Sequence, residues 1–149
     1  MSHVATIDVE INDIPSLKKA CEENGWTFCE NQKTYKWYGR WVNDYHGDNA
    51  AYKNGVDPSN YGKCEHAIKV SSNPGAYEIG VARNKEGKLV LIWDFWGGTI
   101  EKACGKNCKK LYDSYVKHVT VKKMKAKGYV LSKTEVNNNQ TELAFAKYS

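Results

Sequence analysis

The amino-acid sequence predicts an α+β domain, an antiparallel or mixed β-sheet with two helices packed on one face. Three observations carry this. Period-two alternation recurs in short segments, as strands with one buried face require. Two stretches with helical spacing end in glycine, an aromatic residue and a new strand: Gly25-Trp26-Thr27-Phe28 and Gly128-Tyr129-Val130-Leu131. Finally, Leu89–Trp96 is apolar on both faces, the mark of a central strand.

Residues 4–11 alternate, with Ala5, Ile7, Val9 and Ile11 on one side and Thr6, Asp8 and Glu10 on the other. Asp13 then reads as a helix N-cap, with Pro15 tolerated in the first turn. Ile14, Leu17 and Cys21 form the inner stripe of this helix, and Gly25 supplies a left-handed position after it. A strand begins at Trp26, with Trp26 and Phe28 on a shared face. From Gln32 to Gly62 no period survives, and the segment reads as a long ordered excursion with a short strand near Thr34–Tyr38. Strands return at 65–71, with His66, Ile68 and Val70 on one face, and at Tyr77, Ile79 and Val81. Turns fall at Asn73-Pro74-Gly75 and Asn84-Lys85-Glu86-Gly87, and Gly97-Gly98 ends the central strand.

Ile100 to Lys127 reads as one long amphipathic helix, with Ile100, Cys104, Cys108, Leu111, Tyr115 and Val119 inward. Lys102, Lys106, Lys109, Lys117 and Lys127 lie roughly opposite, while Lys122 falls in the apolar stripe against the pattern. Two strands, Tyr129–Val136 and Glu142–Tyr148, close the chain around an asparagine-rich turn. The repeated glycine–aromatic–strand exit suggests two related strand-helix-strand-strand halves.

The chain has 149 residues, of which 41% are hydrophobic and 26% charged. That fits a single domain spanning 1–149, large enough to bury a core without metal or disulfide staples. No run approaches the ~20 apolar residues of a membrane span. No basic region followed by an apolar one marks a leader at the start, so the expected location is the cytoplasm, with five free thiols. The net charge of +5 is a mild excess that permits an anionic partner without requiring one.

The Met1-Ser2-His3 start, the Ile14–Gly25 helix, Tyr77-Glu78-Ile79-Gly80, Phe95-Trp96, Tyr115-x-x-His118 and Gly128-Tyr129 stand in an informative order. In these residues the chain resembles the hypothetical chloroplast open-reading-frame thirty-five family, an uncharacterised domain of cyanobacteria, plastids and cyanophages. The resemblance covers most of the chain outside residues 39–64, which are longer and more aromatic than the family's loop. Cys104 and Cys108 stand outside its pattern. It implies a small soluble protein and brings no established activity.

Asp94, His118, Tyr115 and His66 are the candidates for acid–base chemistry. A histidine titrates near neutrality and a carboxylate can orient it. Asp94 is the most unusual, because a carboxylate in an apolar strand needs a donor such as a histidine, a tyrosine or a backbone N–H group. No nucleophile elbow, phosphate loop or metal motif accompanies these residues, and each has an ordinary structural reading as a hydrogen-bonded core group. Cys104-x-x-x-Cys108 with Cys64-x-His66 could supply four zinc ligands, but the tight C-x-x-C turns of structural zinc sites are missing, and buried cysteine is a common core filler. No metal and no cofactor is expected.

The lysine face of the long helix could meet phosphates, yet Arg40 and Arg83 are the only arginines, so nucleic-acid binding is expected to be weak, non-specific and salt-sensitive. The excursion at 32–62 carries Tyr35, Trp37, Tyr38, Trp41, Tyr45, Tyr52 and Tyr61. These either fold inward as a cap over the sheet or form a recognition patch, with Tyr38, Arg40, Trp41 and Tyr45 the binding candidates. The leading expectation is a non-enzymatic binding or interaction protein whose partner is a protein or small ligand. The alternatives are a small enzyme or ligand-binding domain with a site near Asp94 and His118, and a weak nucleic-acid binder. If the core folds unaided, excess chelator leaves the melting temperature unchanged. Elemental analysis finding one zinc per chain, lost together with the fold, would refute this.

Overall fold

The computed structural model describes residues 4–6, 10–38, 60–95, 98–137 and 140–147, with the backbone alone at 4–6, 135–137, 140 and 141. The elements in order are β1 (Val4–Thr6), α1 (Ile14–Glu23), β2 (Thr27–Cys29), β3 (His66–Lys69), β4 (Ile79–Arg83) and β5 (Leu89–Asp94). They are followed by α2 (Thr99–Cys104), a 3-10 turn (Lys106–Cys108), α3 (Lys109–Ala126), β6 (Tyr129–Asn137) and β7 (Gln140–Lys147). The first five strands form an antiparallel sheet in the order β1-β5-β4-β3-β2. This is an α+β fold, as the sequence predicts.

All six residues of β5 are buried. Its odd positions, Leu89, Leu91 and Trp93, join Ile68, Ile79 and Val81 in a core shared with Leu17, Ala20 and Cys21 of α1 and Leu111, Tyr112 and Tyr115 of α3. Both longer helices therefore cover one face of the sheet. Its even positions, Val90 and Ile92, join Ala67 and Ala82 on the other face, beneath Tyr35, Tyr61 and the half-buried Trp37. The flanks of the 32–62 excursion thus act as a cap. Thr34 bridges Lys63, which ties the two flanks together where the sequence predicts a short strand.

The cap sits close because the sheet is built of small residues beneath it. A Cβ on Gly80 would lie 2.4 Å from the Tyr35 ring, and one on Gly62 would lie 2.5 Å from the Trp37 indole nitrogen. Gly80 pairs with Ala67 on one side and Ile92 on the other, so it occupies the middle of the capped face.

Helix α1 begins as its sequence dictates. Asp13 accepts the Ser16 N–H at 3.1 Å, and Gly25 takes φ 74° after the last turn. The expected helix over 100–127 is instead broken. Gly105 adopts φ 79° and ψ 170°, a region open essentially to glycine, and Asn107 and Cys108 follow in the left-handed region. Cys104 and Cys108 nevertheless both remain fully buried. The spacing of apolar residues survives the break, which is why periodicity alone passes over it.

Lys122 turns from the apolar stripe to pair with Asp13, 3.1 Å away. The two final strands do not enter the main sheet; they form a separate antiparallel ribbon with a register shift between Leu131 and Lys133. The two halves suggested by the glycine–aromatic echo thus differ in where their hairpins go. β2 and β3 pair into the main sheet, while β6 and β7 pair only with each other.

Replacing Gly80 by alanine should cost about 1–3 kcal/mol, the range for overpacked cores. Urea titration checks this, and adding Tyr35→Leu to the same chain should recover part of the loss by freeing the ring's space. A G80A variant as stable as the wild type would mean that the cap is not pressed onto the sheet.

Candidate functional site

Among the described residues, Glu78 and Asp94 are the only buried carboxylates. Both point to the capped face of the sheet, by alternation with Gly80 in one strand and Ile92 in the other. Both also hold the same piece of chain. Glu78 Oε1 accepts the Lys36 N–H at 2.9 Å and the Gln32 side-chain amide at 3.0 Å. Asp94 Oδ2 accepts the Tyr38 N–H at 3.1 Å. A backbone amide of the excursion is thus one donor to Asp94.

This hydrogen bond ties the backbone at Tyr38 to the end of β5, with several aromatics nearby. Tyr35 is buried, and burial pushes its phenol well above the usual range. Tyr38 is 38% exposed, and Phe95, directly after Asp94, is 36% exposed. Tyr77 is half-buried; burial, then the nearby Asp94 charge and Tyr38, raise its phenol pKa. Two partly exposed aromatic side chains therefore flank a buried carboxylate where the chain leaves the cap. Arg40, Trp41 and Tyr45, the other binding candidates, lie outside the described residues.

The four acid–base candidates are not brought together. Tyr115 belongs to α3, on the helical side of the sheet, opposite Asp94. Its hydroxyl accepts the N–H groups of Asn12 and Asp13, each at 3.1 Å, and reaches Asn12 Oδ1 at 3.2 Å, so it anchors the start of α1. His118 is on the same helix, with Nε2 2.6 Å from Glu23 Oε2. His66 lies on β3, where Nδ1 accepts the Asn31 N–H at 2.9 Å and the ring lies against Phe28. Asp94 and His118 are not brought together, because β5 turns Asp94 toward the cap while α3 packs on the other face.

The cysteine–histidine set is divided in the same way. Cys104 and Cys108 are in the helical core, whereas Cys64 packs beneath the cap and donates to the Gln32 carbonyl at 3.2 Å. Burial pushes the Cys64 thiol up to about 12, and the contact with Cys104, together with burial, drives Cys108 higher still. Among the described residues no group of three or more histidine, cysteine or acidic side chains is placed to hold a metal.

The lysine face lines a groove of about 620 Å³ between the end of α1 and the start of α3, with Lys106, Lys109, Lys110 and Lys117 on its walls. Much of that charge is answered locally. Lys109 pairs with Asp113 at 2.6 Å, and Lys117 pairs with Glu23. Glu23 also meets His118 and Ser114, so this cluster joins the two helices.

The sequence reading missed Glu78, Gln32 and Lys36. Strand alternation does put Glu78 on the face opposite Ile79 and Val81, but that face reads as solvent until the cap is known.

A family model described as "Protein of unknown function (DUF1257)" matches residues 48–143. The match runs from within the excursion to β7 and includes Glu78, Asp94, Tyr115 and His118. No curated protein and no solved structure gives a match. No described helix is long and apolar enough to cross a membrane.

The Glu23 cluster has a pH signature. Burial pushes the Glu23 carboxyl up, but its hydrogen bonds from Lys117 and His118 outweigh this and hold it below its ordinary value of 4.5. The folded chain therefore favours the charged form. The resulting stability is fully present above about pH 4.5 and is lost as the pH falls through the lower folded value. Because the side chain is 40% exposed, the effect is small. Glu23→Gln should lower stability at pH 7 by less than about 1 kcal/mol. Denaturant titrations from pH 7 to 3 should show that difference shrinking; a difference that is constant or grows toward acid would contradict the assignment.

Proposed function

Taking as premise that the chain belongs to the DUF1257 family, for which no function is given, we propose that it is a binding or interaction protein and that its recognition surface is the aromatic exit of the cap. Tyr38 and Phe95 are its described contacts, and Arg40, Trp41 and Tyr45, which follow in the chain, extend it. The observation that carries this reading is the hydrogen bond from the Tyr38 N–H to the buried Asp94 carboxylate. It ties the Tyr38 backbone to the residue that precedes Phe95, while Tyr35 is turned into the core. Aromatic side chains offer large contact area at little conformational cost, which is why they dominate binding energy at interfaces.

An enzymatic reading has less support. It requires the acid–base candidates to converge, and Asp94 is separated from His118 and Tyr115 by the sheet. Nucleic acid is at most a weak partner through the lysine groove, where Lys109 and Lys117 are already paired with carboxylates.

The test uses the full chain as bait, with cross-linking in its native cell type. A partner captured by the wild type should be lost, or its affinity should fall by at least tenfold, with Tyr38→Ala and Phe95→Ala together. That is the loss expected when central aromatic contacts are truncated. The far-ultraviolet spectrum and melting curve must show that the double variant is folded. Equal capture by a folded double variant would refute the proposal.

A further inference from the structure

A cavity of about 510 Å³ opens at the end of the sheet where β3 turns into β4. Its size is in the range of small-molecule sites. The 32–36 segment forms one wall and the 71–77 turn another, and the lining includes Thr27, Ser71, Ser72 and Tyr77. Lys69 and Glu78 also line it, and they are cross-strand neighbours on the capped face, the next pair after Ile68 and Ile79.

Glu78 is only 6% exposed. Its Oε1 is engaged by Gln32 and Lys36, as described above. Its Oε2 has no hydrogen bond among the described residues and lies 3.8 Å from Lys69 Nζ, too far for a hydrogen bond. Oε2 faces the cavity, where a ligand donor can replace water with a charge-assisted hydrogen bond. The charge balance restricts the ligand. Lys36 and Lys69 offset Glu78, so a simple cation gains one attraction against two repulsions, and a simple anion must approach the buried carboxylate. A molecule carrying both charges on adjacent atoms avoids both penalties. Laid antiparallel to the Lys69–Glu78 pair, its ammonium meets Oε2 and its carboxylate meets Nζ, and two charge-assisted hydrogen bonds replace one ion pair too long to be hydrogen-bonded.

We propose that this cavity binds a small zwitterion of the α-amino-acid type, with Glu78 receiving the ammonium and Lys69 the carboxylate. The hydroxyls of Thr27, Ser71 and Ser72 offer further polar contacts. This site is distinct from the aromatic surface proposed above and does not depend on it.

The test is a titration of the isotopically labelled full chain with each standard amino acid, followed by amide NMR. At least one should give saturable shifts centred on Gln32, Lys36, Ser71, Ser72 and Glu78. Its N-acetyl derivative, which lacks the ammonium, and its amide, which lacks the carboxylate, should each bind about tenfold more weakly or worse. Lys69→Met and Glu78→Gln should weaken the parent ligand to a similar degree. Gln keeps an acceptor oxygen for Gln32 and Lys36, and if E78Q does not fold, K69M alone decides, since Lys69 is half-exposed and its loss leaves the fold intact. The proposal is overturned if no amino acid gives saturable shifts at these residues. It is also overturned if the single-charge derivatives bind as tightly as the parent, or if K69M binds unchanged.

Discussion

An interior strand that is apolar on both faces constrains everything around it. Each of the six residues of β5 is buried, so both faces of the sheet must be covered. The chain covers them by different means. One face receives helices, whose packing needs branched and aromatic residues at alternate positions: Leu89, Leu91 and Trp93. The other receives a strap of irregular chain bearing Tyr35, Trp37 and Tyr61. A strap brings backbone polar groups toward an apolar surface, and those groups need partners.

On the helical side five polar residues of α3 hold α1. Tyr115 and Lys122 reach the start of that helix, through the Asn12 and Asp13 amides and the Asp13 carboxylate, while Ser114, Lys117 and His118 reach Glu23 at its end. A helix of ten residues is marginal by itself, and tertiary contacts at both ends compensate. This arrangement also explains why His118 and Tyr115 suit catalysis in a sequence yet have structural roles in the fold. Their polar atoms are already engaged by α1, on the face away from Asp94.

Features set by local chemistry were legible in the sequence. Asp13 as a cap, Gly25 after the helix, the two turns and the doubly buried β5 all follow from single residues or short periods. What depends on distant chain was not. The break at Gly105 is hidden because Cys104, Cys108, Leu111 and Tyr115 keep a helical spacing across it. The detached ribbon is hidden because β6 and β7 have the alternation of strands in any sheet. Of the candidate site, Asp94 and its need for a donor were readable, since an acid between Trp93 and Phe95 is anomalous. Glu78 was not, because an acid alternating with Ile79 and Val81 has the pattern of a strand with one solvent face. Its burial comes from Gln32 and Lys36, which lie far away in sequence and carry no local signal.

Glu78 and Asp94 together account for the course of the strap. Its N–H groups at Lys36 and Tyr38 are two residues apart, the repeat of an extended chain, and each finds a carboxylate from a neighbouring strand. Glu78 returns its own N–H to the Lys36 carbonyl at 2.9 Å, and the Tyr35 N–H goes to the Gly62 carbonyl at 3.0 Å. The segment is thus held like a strand, partly by backbone partners at Gly62, Cys64 and Glu78 and partly by carboxylates projecting from the sheet face. Gly80 lies on the same face, two residues along from Glu78, and leaves room for the Tyr35 ring. Reversing either acid's role would release the same few residues. Glu78 fixes the wall of the cavity at Lys36, and Asp94 fixes the aromatic exit at Tyr38. One strap sets the geometry of both surfaces, and its course depends on two buried charges having backbone donors within reach.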